Sequence, residues 1–196
     1  PTTKKLPRYD DPEVMRENLE KLKMTARSKE REEIRGLINL SLEIERQLSD
    51  RSYYLTPSTY IHGDFHPVNL KSEQSKIIGI FDFDWVSLQP RLRDVADGLL
   101  FVASVRKTDY RSSDIVSLTQ AVHFDLKKTQ VFLQSYEATT ELSSKEKGLI
   151  PWFIKARWLN CRIEGTRKIA EGQRIAYLLQ DIDETLDSLL EIESKL

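Results

Sequence analysis

The sequence predicts an α+β fold that is predominantly helical, and three observations lead there. Apolar residues recur at helical spacing over most of the chain. β-prone residues are confined to one stretch between about 56 and 90. No internal repeat, low-complexity tract or Gly/Ser linker divides the 196 residues, a length that suits one domain with a real core.

The elements follow in order. Residues 1–11 are rich in Pro and charge and read as an irregular strap. Helix signals begin at Pro12, where Met15, Leu19 and Leu22 share a face. A second helix is predicted over 28–49, with Ile34, Leu37, Ile38, Ile44 and Leu48 inward and a charged, solvated face opposite. The texture changes at Tyr53. Residues 58–62 and 68–70 read as short strands, and the continuous apolar run 76–83 as a buried strand with a short hairpin partner. After Pro90 the helical pattern returns. Asp94 is the expected cap of a helix carrying Val95, Leu99 and Val102. Further helices are expected near 113–123, 126–140, 145–170 and 173–195. The last is strongly amphipathic, with Ile175, Leu179, Ile182, Leu186, Leu189 and Leu190 on one side. About three heptads are short for a coiled coil, so packing on the protein's own core is the favoured reading.

Composition excludes several classes. Hydrophobic residues make up 39% and charged residues 31%, and the net charge is −1. Nothing in that balance draws the molecule to nucleic acid or an anionic membrane. No apolar run approaches the roughly 18 residues needed to span a bilayer, and the first residues lack the apolar core of a signal peptide. A single cysteine, Cys161, leaves neither a disulfide framework nor a thiolate metal cluster. A cytoplasmic protein is the simplest expectation.

The chemistry concentrates in TYIHGDFHPVNL, residues 59–70, where His62, Asp64, His66 and Asn69 lie on one short connection. Asn69 follows Asp64 by five residues, and Asp82 follows Asn69 by thirteen, inside Phe81-Asp82-Phe83-Asp84. Phosphoryl transfer needs a carboxylate to orient the attacking hydroxyl or accept its proton. It also needs a magnesium ion to bridge phosphate oxygens. Magnesium takes oxygen ligands, one or two of them from protein, and Asn and Asp supply such oxygens. Catalytic Asp, Asn five later, then Asp at the end of the next strand is the order of the kinase motifs H-R-D-x-x-x-x-N and D-F-G.

With Gly63 after the histidine, HGDFHPVNL, IIGIFDFDW and PRLRDVADGL together resemble the aminoglycoside phosphotransferase and choline kinase-like family. The segment VFLQSYEATTELSSKEKGLIPWFIKARWL is also similar, and the likeness covers about residues 56–165. Homoserine kinase type II and spore-coat-type members are nearest in character. The resemblance implies the C-terminal, large lobe of a protein-kinase-like fold, with the small hairpin carrying the catalytic and metal-binding loops. It implies a kinase that moves the γ-phosphoryl of ATP to a hydroxyl of a small molecule with Mg2+. Asp64 would be the catalytic base, and Asn69 and Asp82 would hold the metal. Asp94 would brace the catalytic loop and His62 would fix it by hydrogen bonds. Asp84 and His66 would support the site in roles left open.

The chain departs from the family at its start. Only Gly36 precedes Gly63, so no glycine-rich phosphate loop lies upstream, and the first 50 residues read as helices. The chain therefore reads as a single large lobe over 1–196, divided into 1–11, 12–50, 56–90 and 91–196, without its nucleotide-clamping lobe. Nucleotide-contacting residues stay unassigned, as do substrate identity and oligomeric state. Two rivals differ in class. A kinase-like lobe kept only as a binding scaffold would explain the missing clamp. A haloacid-dehalogenase-type phosphatase would use Asp82 as nucleophile and Asp84 as acid/base, but would leave Asp64 and Asn69 idle. A zinc hydrolase lacks ligands, since only His123 remains beyond the loop. Arg157, Trp158 and Arg162 could line a substrate pocket. The favoured reading puts Trp158 in the core and pairs the arginines with surface acids.

Overall fold

The computed structural model describes residues 7–108 and 114–196, and for Leu118 the backbone alone. The strap of residues 7–11 is stitched down rather than loose. Gln89 Nε2 donates to the Pro7 carbonyl at 2.9 Å, and the Arg8 guanidinium lies 4.5 Å from the Tyr53 ring centre. Asp11 then caps α1 (Pro12–Thr25) by accepting from the Glu13 N–H, and Pro12 at the first turn needs no donor. Met15 and Leu19 are buried against α2 (Ser28–Gln47), whose Ile34, Leu37, Ile38 and Ile44 face inward. A short α3 (Asp50–Leu55), capped by Ser49, brings Tyr53 into the core.

The long α6 (Ser144–Thr166) is the organising element. A reciprocal capping box between Ser143 and Glu146 starts it, and it packs on α1, α2, α4 (Leu92–Phe101), α7 (Arg174–Leu179) and α8 (Ile182–Glu193). Ile150, Phe153, Ile154, Trp158, Leu159 and Ile163 are buried along it. Each such side chain contributes about 1.5–3 kcal/mol of burial. α5 (Leu126–Glu137) is capped by Asp125 and lies against α4.

Three two-stranded antiparallel sheets complete the fold. β1 (Ser58–Ile61) pairs with β4 (Ser87–Pro90), β2 (Leu70–Glu73) with β3 (Lys76–Ile80), and β5 (Ser104–Arg106) with β6 (Val122–Phe124). A register shift between Lys71 and Ser72 kinks the β2–β3 hairpin. The mostly helical fold with small antiparallel sheets agrees with the sequence reading at that level.

Five expectations are corrected. The strand expected over 68–70 is a 3-10 turn at Pro67–Asn69, and the strand that follows it begins at Leu70. The apolar run 76–83 forms a strand only over Lys76–Ile80 and is not buried: Ile77 is 61% exposed, and Phe83, past the end of the strand, 58%. An isolated hairpin has one neighbour strand and no covering layer among the described residues, so its apolar side chains face outward. The helix expected over 113–123 is instead a 3-10 turn at Ile115–Leu118 followed by β6, with 109–113 outside the described residues. Thr185 and Ser188 of α8 explain the switch, because their hydroxyls accept from the Val122 and Phe124 N–H groups. The helix expected over 173–195 is split at Asp181, whose φ of 50° is left-handed and whose carboxylate accepts from the Ala121 N–H. Asp94 does not cap α4: Arg91 occupies that position, and the Asp94 carboxylate turns to another chain segment.

Candidate active site

That segment is the loop 62–69. Asp94 Oδ2 and Oδ1 accept from the backbone N–H groups of His62 and Gly63 at 2.6 and 3.0 Å. A carboxylate taking two N–H bonds from adjacent residues fixes the strand-to-loop exit more tightly than a neutral acceptor. Gly63 itself sits at φ 81°, and a Cβ there would lie 2.4 Å from the Trp85 carbonyl oxygen. Only glycine satisfies both conditions, so the backbone turn that presents Asp64 requires this residue.

His62 clamps the loop to the end of β3. Its Nε2 lies 2.8 Å from the Phe81 carbonyl oxygen, and its Nδ1 lies 3.3 Å from the Asp64 N–H. A carbonyl only accepts and an N–H only donates, so the proton is on Nε2. The Phe81 N–H in turn donates to the Asn69 carbonyl at 2.9 Å. Phe81 is thus held on both sides by the loop, which sets Asp82 beside it. Asp82 has φ 62°, a conformation that costs an ordinary residue and that Asp tolerates. Asp82 and Asp84 are both exposed.

Asp64 is surrounded by donors. Its Oδ1 accepts from Arg157 at 3.0 Å, and its Oδ2 faces His66 Nε2 at 3.2 Å and Asn69 Nδ2 at 3.4 Å. Asn69, buried, also donates to the Asp64 backbone carbonyl at 2.9 Å. Burial pushes the Asp64 carboxyl up. The His66 hydrogen bond and the charges of His66, Arg157 and Arg93 outweigh it and hold the carboxyl below its usual range. Asp64 is therefore anionic at neutral pH, suited to orienting a hydroxyl and taking its proton late.

Behind Asp64 runs a buried charge network. Asp97, fully buried, accepts from Arg157 Nε, from Arg93 at 2.8 Å and from the Phe65 N–H at 3.2 Å. Arg93 also donates to the Gly63 carbonyl at 2.7 Å and to Asp10 at 3.1 Å, and Asp10 accepts from Asn160. Burial pushes the Asp97 carboxyl up despite the two guanidiniums beside it. At Arg157 burial opposes the charge, but the surrounding acids keep it firmly ionised.

The chain belongs to the phosphotransferase enzyme family, whose sequence model matches residues 2–128. Membership makes this a kinase-type enzyme. The comparison with curated proteins gave no match.

Asp64, Asn69, His62 and His66 are brought together as one cluster, braced by Asp94, while Asp82 is tied in through the Phe81 backbone. Among the described residues no three His, Cys, Asp or Glu side chains gather as a metal cluster. A cation bridging phosphates needs fewer protein ligands than that, and Asn69 and Asp82 offer the oxygen donors it prefers. The expectation that Arg157 and Arg162 pair with surface acids is corrected: Arg157 bonds buried Asp97 and Asp64, and Arg162 bonds two backbone carbonyls. Trp158 is in the core as expected. Asp10 and Arg93 were not legible as site residues. The one available signal was the Arg93–Asp97 spacing of four on a helix.

A cavity of about 680 Å3 opens in front of Asp64, lined also by His66, Trp85, Phe101, Arg157 and Trp158. That volume suits a small molecule.

Proposed function

We propose that this chain is the large, C-terminal lobe of a protein-kinase-like enzyme, and that the enzyme, with a nucleotide-clamping lobe beside this one, transfers the γ-phosphoryl group of ATP to a hydroxyl of a small molecule. The observation that carries the reading is an anionic Asp64 held at a cavity mouth by Arg157, His66 and Asn69. A hydroxyl entering the cavity would meet the Asp64 carboxylate, which orients it for in-line attack and receives its proton as the bond to phosphorus forms. Asn69 and Asp82 would hold Mg2+ with their oxygens. When bound, that ion offsets charge on the phosphate oxygens. His62 and Asp94 set the loop's shape and so the position of Asp64. Trp85 and Phe101 wall the cavity with apolar surface, which limits the water that competes with the acceptor.

The exposed apolar hairpin face supports the large-lobe assignment, since a second lobe would give Ile77, Ile78 and Ile80 a covering layer. The scaffold alternative predicts no turnover, and the phosphatase alternative predicts a phosphoryl group on Asp82. Incubation with γ-labelled ATP, followed by acid denaturation, separates them. The kinase reading expects label in the small-molecule fraction and none on protein. Asp82→Ala is expected to raise the Mg2+ concentration needed for nucleotide binding at least tenfold. Label retained on Asp82, or metal dependence untouched by the substitution, overturns the reading.

A further inference from the structure

Among the described residues, more basic than acidic side chains line the cavity beside Asp64. Each acid on the wall is committed: Asp64 to Arg157, Asp10 to Arg93, Glu164 to Arg167, and Asp11 to the start of α1. Arg162 is different. It is buried, with only 2% of its surface exposed, and lies under the cavity wall with its guanidinium 5.0 Å from the Trp158 ring centre. Its two terminal nitrogens donate to the neutral carbonyls of Leu178 and Thr119, at 2.8 and 2.6 Å. Its Nε has no hydrogen-bond partner among the described residues, and no ion pair reaches it there. Burial pushes its pKa down to about 10, and Tyr177 and Asp181 only partly restore it. A guanidinium in such a wall, without a paired carboxylate, projects its field into the cavity whether or not a ligand touches it. At the rim, just past the end of the same helix, stands the exposed Lys168.

We propose that the acceptor is a hydroxylated small molecule bearing an oxyanion, a carboxylate or a phosphate ester, held at the Arg162–Lys168 end while its hydroxyl meets Asp64. The hydroxyl's place rests on the kinase reading above; the anion's place does not. Arg157, which touches Asp64, and Arg162 are five residues apart on α6, roughly 7.5 Å along the axis. The span fits a compact acid or sugar phosphate. It also separates the anion site from the Asn69–Asp82 loops, since the partners of Arg162 belong to the 119 and 178 segments. A polyamine or quaternary ammonium acceptor would meet a like charge there that Asp181 only partly offsets, so cationic alcohols are disfavoured.

Isothermal titration of the chain with glycerate, glycerol phosphate, glycerol and ethanolamine reads the inference directly, beside γ-label transfer to the same four. The two oxyanions are expected to bind at least tenfold tighter than glycerol or ethanolamine. Lys168→Glu, an exposed substitution that leaves folding intact, should weaken them tenfold or more, and Arg162→Gln likewise if it folds. Binding should persist in saturating Mg-ATP. Anion binding with this pattern upholds the site even if no label is transferred, and then only the kinase reading falls. Ethanolamine binding as tightly, indifference to Lys168→Glu, displacement of the anions by Mg-ATP, or no binding by any of the four overturns the anion site. Label transfer to ethanolamine in that case leaves the kinase reading standing.

Discussion

Glu146 holds the start of the central helix against the element that carries Arg93, Asp94 and Asp97, and its removal has a calculable cost. Its carboxylate takes Arg91 in two-point contact, Nε at 2.7 Å and a terminal nitrogen at 2.9 Å, together with the Ser143 N–H and hydroxyl. The Arg91 hydrogen bond comes first among the causes that lower its pKa from 4.5 to about 2, against the opposing effect of burial. A carboxyl whose folded pKa lies below its unfolded value stabilises the fold above the unfolded pKa. That stability is lost as pH falls through the folded one. The difference corresponds to about 3 kcal/mol at neutral pH, a large part of the roughly 5–15 kcal/mol that holds a domain together. Glu146→Gln keeps the shape and removes the charge. At pH 7 its urea midpoint should fall by about 1–1.5 M, taking a slope near 2–3 kcal/mol/M. The gap from the wild type should shrink to under half by pH 3, because there the carboxyl of the unfolded chain, near its ordinary pKa, is mostly protonated while the folded one still is not. A pH 7 midpoint within about 0.3 M of the wild type at equal slope, or a gap undiminished at pH 3, would refute the pairing.

Two further outcomes follow from the loop and the network behind it. Asp97→Asn leaves two buried guanidiniums short of their shared partner and is expected to cost about 3–5 kcal/mol, seen as a thermal midpoint lower by about 10 °C; a fall under 2 °C would show that the network does not anchor the fold. Gly63→Ala forces a left-handed conformation and a Cβ 2.4 Å from the Trp85 carbonyl oxygen, so a loss of at least about 2 kcal/mol is expected by chemical denaturation, and unchanged stability would show that the turn relaxes freely.

What the sequence revealed and what it hid divide along physical lines. Helices α1, α2 and α6 were readable because apolar spacing and caps at Asp11 and Ser143 agree with burial on one core. The pairing of β1 with β4 was not, since Ser87–Pro90 carries no alternation and owes its strand to partner residues 26 to 32 positions upstream. A continuous apolar run such as 76–83 states only that the residues are apolar, and which face is covered depends on what packs there. The segment 113–123 went to turn and strand because Thr185 and Ser188, more than 60 residues on, supply acceptors for its N–H groups. At the site, the cluster of Asp64, His66 and Asn69 was local and visible in five-residue spacing. Arg157 was not, because its approach to Asp64 joins positions 93 residues apart and no short pattern encodes it.

The account's central claim is that Asp64 orients an acceptor hydroxyl for phosphoryl transfer. The most direct test is Mg2+-dependent transfer of label from γ-labelled ATP to hydroxyl compounds by the full two-lobed enzyme, wild type and Asp64→Asn, with nucleotide affinity measured in parallel. The account predicts transfer by the wild type, a fall of at least about a hundredfold in the variant, and nucleotide Kd values within about threefold of each other. Equal losses of transfer and of nucleotide binding, or transfer that survives the substitution, would contradict it.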